Sequence, residues 1–389
     1  MNKKPVNALA ATPTFMKKIF LTVAALFLLL TSSFTAFASE RPDSLAIKIG
    51  QMVMIGFRGL SVAESPDIAE DILERRIGGI VLFDYDVPLH APSRNISSPE
   101  QLSLLTLELQ KLSAIPLLIG IDQEGGRVNR LKAKFGFPPS VSAEHLGTLN
   151  NPDSTTTAAA LTARTLQAMH IGLNFAPVAD LNVNPDNPVI GKLGRSFSGD
   201  PEIAVPNIRL TVKTFNREGI IATLKHFPGH GSSTTDTHKD FTDITNSWSE
   251  KELEPYRAMI ASGYRDAIMT AHVFNAKLDP IYPATLSKST ITALLRKKLG
   301  FRGVVISDDM QMKAIADRYG LEEAIRLAID AGVDVLLFGN NTSWDPAIAT
   351  KATEIIRSLV EKRVVTPRRI DLSYRRVIEL KKQYLKPRT

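Results

Sequence analysis

The 389-residue chain contains no cysteine. That absence excludes disulfides, thiolate metal sites, a cysteine nucleophile and a lipid-modified cysteine, so the fold must be held by its core alone. A membrane span is missing as well. The one long apolar run, IFLTVAALFLLL from Ile19, is short for a span, and no second such run follows it. No internal repeat, low-complexity linker or shift in composition divides the chain, which makes a single domain the simpler organisation. No glycine-rich phosphate loop follows an early strand-like run, so a doubly wound nucleotide-binding sheet is the weaker of two α/β candidates.

What is present begins with a targeting pattern. Lys17 and Lys18 precede the apolar run, and Ala36-Phe37-Ala38 supplies small residues before a polar start at Ser39. That order predicts a signal peptide over residues 1–38, cut after Ala38, and an exported protein that is periplasmic or extracellular. MKKIFLTV from Met16 is itself a signal-like start. No stable membrane insertion is expected after cleavage. The formal net charge is +7, and Lys3, Lys4, Lys17 and Lys18 are the only charged side chains before Glu40, so the mature chain carries +3. That charge is too mild to argue for nucleic acid as a partner. The basic tail RRVIELKKQYLKPR reads as a terminal helix docked by Val377, Ile378 and Leu380.

Eight apolar, β-branched runs recur at a regular beat: QMVMIGF from Gln51, GGIVLF from Gly78, PLLIGID from Pro116, LNFAPVAD from Leu173, IATLKHFP from Ile221, AIMTAHVF from Ala267, GVVISDD from Gly303 and DVLLFG from Asp334. Runs that are apolar throughout suit strands buried on both faces of a parallel sheet. Amphipathic stretches separate them, among them LSKSTITALLRKKLG, which opens on a serine cap at Ser287 and closes on Gly300. Eight strands alternating with helices predict a single-domain α/β fold, a (β/α)8 TIM barrel over residues 45–385. Such a barrel places its chemistry at the C-terminal ends of its strands. Polar residues gather there: Asp122, Asp180, Lys225, His226, His272, Asp308 and Asp309.

The stretch KHFPGHGSSTTDTHKD from Lys225 holds three of the seven histidines. His226 and His230 are spaced as in zinc-binding helices, but Pro228 and Gly229 break a helix and no glutamate base lies between them. A loop could still gather His230, Asp236 and His238 around a metal. A second reading pairs Asp236 with His238: residues two apart in an extended loop point the same way, so the carboxylate can hold one imidazole nitrogen and leave the other for proton transfer. A third leaves the loop merely polar. The glycines at 229 and 231 would let it swing. From the seventh strand, alternation sends only one of Asp308 and Asp309 toward the barrel axis. A carboxylate there, facing an imidazole, suits double displacement at a sugar carbon.

These motifs resemble the β-N-acetylhexosaminidase branch of glycoside hydrolase family 3. KHFPGHGSSTTDTH is the most specific of them, and IDQEGGRVNRL from Ile121, GRSFSGDP from Gly194 and ISDDM from Ile306 match further blocks. The likeness runs from about Leu45 to about Arg376. It implies that Asp308 is the nucleophile, His238 the acid/base and Asp236 its supporting carboxylate. It further implies that Asp122, Arg130, Arg195, Lys225 and His226 hold the N-acetylglucosamine ring; the weaker alternative for Arg130 and Arg195 is a structural ion pair with a rim aspartate. Thr237 and the Ser232-Ser233 pair depart from the branch's usual residues.

The expectation is therefore an exported, retaining exo-β-N-acetylglucosaminidase. It would need no cofactor or metal and act as a monomer on a small carbohydrate or muropeptide, from peptidoglycan fragments or chitin-type oligosaccharides. Two enzymatic alternatives share the barrel, an N-acetylglucosaminide phosphorylase and a β-glucosidase. A catalytically silent sugar-binding barrel is the alternative of another class.

Overall fold

Each of the eight apolar runs contains a strand. A computed structural model describes residues 1–2, 43–237 and 241–385. The expected signal segment falls almost wholly on residues 3–42, outside the described residues, and so does His238. The strands are β1 Val53–Gly56, β2 Gly79–Leu82, β3 Leu118–Ile121, β4 Leu173–Asn174, β5 Ile221–Phe227, β6 Ala267–Thr270, β7 Val304–Ile306 and β8 Leu336–Phe338. All pair in parallel with their neighbours in chain order, and β8 pairs with β1. A bridge from Ile306 to Val335, with the Ser307 amide donating to the Val335 carbonyl at 2.9 Å, joins β7 to β8 and closes the ring. The fold is a (β/α)8 barrel.

Alternation of side chains explains why the runs are apolar throughout. Met54, Val81, Leu118, Val304, Ile306, Val335 and Leu337 point into one core cluster inside the barrel. Their neighbours Val53, Ile55, Ile80, Ile119, Val305, Leu336 and Phe338 join a second cluster between strands and helices. Every position is therefore buried, whichever face it serves. Helix starts follow local chemistry: Ser98, Asn151 and Thr366 each accept a backbone N–H in the first turn of a helix that carries proline just inside it. Ser287 caps as expected, accepting the Thr290 amide at 2.9 Å, but the helix that follows, Ser289–Lys298, is wound as a π-helix.

The last helix, Pro367–Tyr384, seals the barrel floor. Val377 and Leu380 enter the interior cluster, as the sequence suggested, while Ile378 stays only half-buried. Burying two such side chains contributes about 3–6 kcal/mol. Behind them Lys381, 2% exposed, donates to the Gln51 side-chain oxygen at 2.6 Å and to the Gly78 carbonyl at 2.7 Å. Burial pulls its ammonium pKa down to about 7. Nearby, Asp334 is fully buried among Arg296, Arg369 and Arg376. The floor is thus a stability device, leaving the opposite rim for chemistry. No helix of the described residues is long and apolar enough to cross a membrane.

Candidate active site

The rim at the C-terminal ends of the strands encloses a cavity of about 410 Å³. Asp122, Arg130, Arg195, Lys225, His226, Asp236 and Asp308 all line it, although they span most of the barrel's circumference. Of the eight residues the sequence singled out, only His238 lies outside the described residues.

Lys225 and His226 are adjacent on β5, so simple alternation would part them. The pairing with β6 is irregular here: Leu224 faces Ile268 and Phe227 faces Thr270, three residues against two. This bulge lets both side chains reach the cavity. The Lys225–His226 peptide is cis. The loop after β3 is set by Gln123, which exchanges hydrogen bonds with Asn174 on β4 and whose side-chain oxygen accepts the amides of Arg130 and Leu131. Gly125 is required where it stands, because its φ is +95° and a Cβ would come within 2.1 Å of the Val141 carbonyl oxygen.

Charge in the cavity is balanced by contact. The Lys225 ammonium lies 2.7 Å from Asp122 and 2.6 Å from Glu124. Arg195 grips Glu124 with two nitrogens at 2.7 and 2.8 Å and donates to the Val189 carbonyl. Arg130 reaches Asp122 at 3.4 Å and Asp84 at 3.7 Å. Both arginines are thus ion-paired as well as cavity-lining. Burial raises the Asp122 carboxyl, but Lys225, Arg130 and Arg195 outweigh it and hold it well below the usual range. Glu124 is likewise held low, against its burial, by Arg195 and Lys225.

His226 is held neutral. Burial lowers its pKa first, and the cations of Arg195 and Lys225 lower it further. Its Nδ1 faces the Asp180 carboxylate at 2.7 Å, so Nδ1 carries the proton and Nε2 is an acceptor. Arg195 Nη2 lies 3.4 Å from that Nε2. Asp180 also accepts the amides of His226 and His230 at 3.1 and 2.8 Å.

His230 is turned away from the cavity. Its Nδ1 meets the Ser233 hydroxyl at 2.8 Å and its Nε2 the Thr237 hydroxyl at 3.3 Å, so both ring nitrogens are engaged. A metal held by His230, Asp236 and His238 therefore lacks its first ligand here, and among the described residues no three acidic or imidazole groups are grouped to bind one. The expected freedom of the loop also needs correcting. A Cβ on Gly231 would fall 1.7 Å from the Leu181 carbonyl oxygen, and Gly229 packs on Glu252. These glycines allow close backbone approach, and residues 228–233 are buried.

At the end of β7 the two aspartates divide their work. Asp309 accepts the amides of Gly339 at 2.9 Å and Gln311 at 3.0 Å, and its carbonyl meets His272 Nε2 at 2.9 Å. Asp308 accepts the Asp309 amide at 2.8 Å, and both aspartates line the cavity, so the expectation that only one of them faces it needs correcting. A larger cavity of about 480 Å³ lies behind the Glu124–Arg195 pair, among the helices Ala143–Leu149, Pro152–Ala168 and Pro201–Arg217, but it includes neither Asp308 nor Asp236.

The profile of the glycosyl hydrolase family 3 N terminal domain matches residues 44–380. The chain belongs to that family. It is 38% identical over 275 residues to a beta-hexosaminidase of Tolumonas auensis, covering 70% of this chain and 78% of that one. Among solved structures, a family 3 beta-N-acetylglucosaminidase from Paenibacillus superposes with a TM-score of 0.80 at 37% identity over 88% of this chain. This chain spans 62% of that protein, less than two thirds of its length. A beta-N-acetylhexosaminidase from Beutenbergia cavernae superposes with a TM-score of 0.78 at 26% identity, over 87% of this chain and 98% of its own. The family 3 barrel here is a glycoside hydrolase.

Sequence reasoning gave no role to Glu124 or Asp180, and did not consider Asp84. Glu124 carried a usable signal: it lies two residues after Asp122 in a motif already singled out, on the same side of an extended segment.

Proposed function

We propose that the protein is an exported β-N-acetylglucosaminidase that removes a terminal N-acetylglucosamine with retention of configuration. The observation that carries the reading is one cavity lined by Asp308, Asp236 and the five residues expected to hold a sugar ring. Relatives named beta-hexosaminidase support the choice of sugar. The basic, apolar and small-residue order before Ser39 supports export, and with it peptidoglycan fragments or chitin-type oligosaccharides as substrates.

In the first step an Asp308 oxygen attacks the anomeric carbon as the glycosidic C–O bond breaks, and the His238 imidazolium gives its proton to the departing oxygen. In the second, His238 takes a proton from water, whose oxygen displaces Asp308 from the same carbon. Asp236 supports the imidazolium. Lys225 donates to sugar hydroxyls, Asp122 accepts from them, and neutral His226 offers Nε2 as a further acceptor.

The test uses residues 39–389 with chromogenic β-N-acetylglucosaminide and β-glucoside, each with and without chelator and phosphate. Fast hydrolysis of the first sugar alone, indifferent to both additions, is expected. A preference for the glucoside would sink the reading. Dependence on phosphate would make the enzyme a phosphorylase, and loss with chelator would restore a metal.

A further inference from the structure

We propose that Tyr85 and Val87 form a preorganised platform on which the ring of the leaving sugar rests. The proposal rests on the β-N-acetylglucosaminidase reading and places the other half of its substrate.

Phe83, Tyr85 and Val87 follow β2 at alternate positions, and all three line the rim cavity. The row starts deep. Arg130, which holds Asp122, lies with its guanidinium carbon 5.5 Å from the Phe83 ring centre. It ends outside, with Tyr85 38% and Val87 45% exposed. Scattered exposed apolar residues need no explanation. This pair differs because the backbone beneath it is fixed by buried polar groups. Asp86, between them, points inward and is held by Arg58 at 2.7 Å and by Arg94 at 2.6 Å. Asn341 accepts the Val87 amide at 3.1 Å and donates to the Tyr85 carbonyl at 3.0 Å, tying the loop to the segment after β8. Arg94 also donates to the carbonyls of Phe57 and Asn340.

Burying an arginine and an aspartate is costly, and such networks are best understood as fixing a geometry. The geometry fixed here is an aromatic and a branched aliphatic side chain held open at the mouth of the cavity. A pyranose presents an apolar C–H face that suits such a surface, and a rigid platform loses little entropy on binding. The adjoining side chains of Asn341 and Thr342 are polar and uncharged. Glucosamine- and muramic-type rings share this face, so either could be the natural leaving group.

The experiment compares kcat/KM for N-acetylglucosaminyl fluoride, which has no leaving sugar, with those for N,N′-diacetylchitobiose and for N-acetylglucosaminyl-N-acetylmuramic acid. In Tyr85→Ala the ratio of disaccharide to fluoride should fall about tenfold, the scale of one aromatic contact, and Tyr85→Phe should restore it. A fall for both disaccharides supports recognition of the shared ring face. A fall for one supports the platform and names its sugar. An unchanged ratio in an active enzyme overturns the platform alone. Wild-type protein that turns over none of the three overturns the hydrolase reading and the platform with it.

Discussion

Replacing Glu124 with glutamine tests whether the charge lattice under the sugar site acts as a unit. Glutamine keeps the volume but turns one acceptor oxygen into a donor aimed at cations. Glu124 has a side chain only 5% exposed and faces Arg195 through two contacts and Lys225 through one, all between 2.6 and 2.8 Å. Removing one partner from a buried pair costs about 3–5 kcal/mol, because the other charge is left uncompensated. Lys225 would retain Asp122, but Arg195 would lose its charged partner and keep at most one neutral amide oxygen beside the Val189 carbonyl and a distant imidazole. Urea unfolding at pH 7 should therefore show a loss of about 3–5 kcal/mol. The pH dependence has a definite sign. Arg195 and Lys225 depress the Glu124 carboxyl despite its burial, so its contribution is full above the unfolded carboxylate range and is lost as pH falls through the folded value. The gap between wild type and variant should narrow in acid. Hydrolysis should suffer too, with kcat/KM down by roughly 10–100-fold as Arg195 loses its orientation. A variant with wild-type stability and kcat/KM would refute the lattice argument.

Asp308→Asn should reduce kcat by roughly 10⁴-fold or more while leaving the fold intact, read from single-turnover assays and circular dichroism. Asp180→Asn removes the acceptor that fixes the His226 tautomer. It should cost about 1–3 kcal/mol in kcat/KM, and equal loss of activity and stability without any change in substrate affinity would contradict the positioning role. Burial holds the Lys381 ammonium at about pKa 7, below its unfolded value, so the unfolded chain binds the extra proton between that pH and about 10.4. Stability from this group should thus rise with pH across that window, by up to about 1.4 kcal/mol per pH unit, and Lys381→Met should flatten the slope.

The barrel was legible because its signal is periodic and local. A strand buried on both faces must be apolar at every position, and eight such runs leave few architectures open. The sequence was less informative where backbone chemistry interrupts a run. LNFAPVAD spans eight residues, but only Leu173–Asn174 form β4. Pro177 has no N–H to continue a ladder, and Val178 regains only an isolated bridge to Lys225. The π-helix Ser289–Lys298 was equally invisible, since its amphipathic pattern differs little from that of an ordinary helix.

At the site, groups that line the cavity were legible and the groups that hold them were not. Asp122, Lys225 and Asp308 declare themselves as charges closing apolar strands. Glu124 and Asp180 take their meaning from partners 71 and 46 residues away; the place of Glu124 two residues after Asp122 hints that it shares a face with it, but nothing local names either partner. The loop from Lys225 shows why. His230 looks as functional on paper as any histidine there, yet its environment (Ser233 and Thr237 on the ring, Asp180 on its amide) makes it a framework residue. Its neighbours Gly229 and Gly231 are packed against backbone and Glu252, which fixes the path of the chain up to Ser233. Asp236 then reaches the cavity from a segment with a firm base. The chemistry proposed for Asp236 and His238 therefore belongs to the end of the loop alone. Replacing His230 should act chiefly through stability, with a loss of about 1–3 kcal/mol in unfolding for His230→Ala from the abandoned hydroxyl partners. Activity lost through kcat in a variant of undiminished stability would return His230 to the reaction.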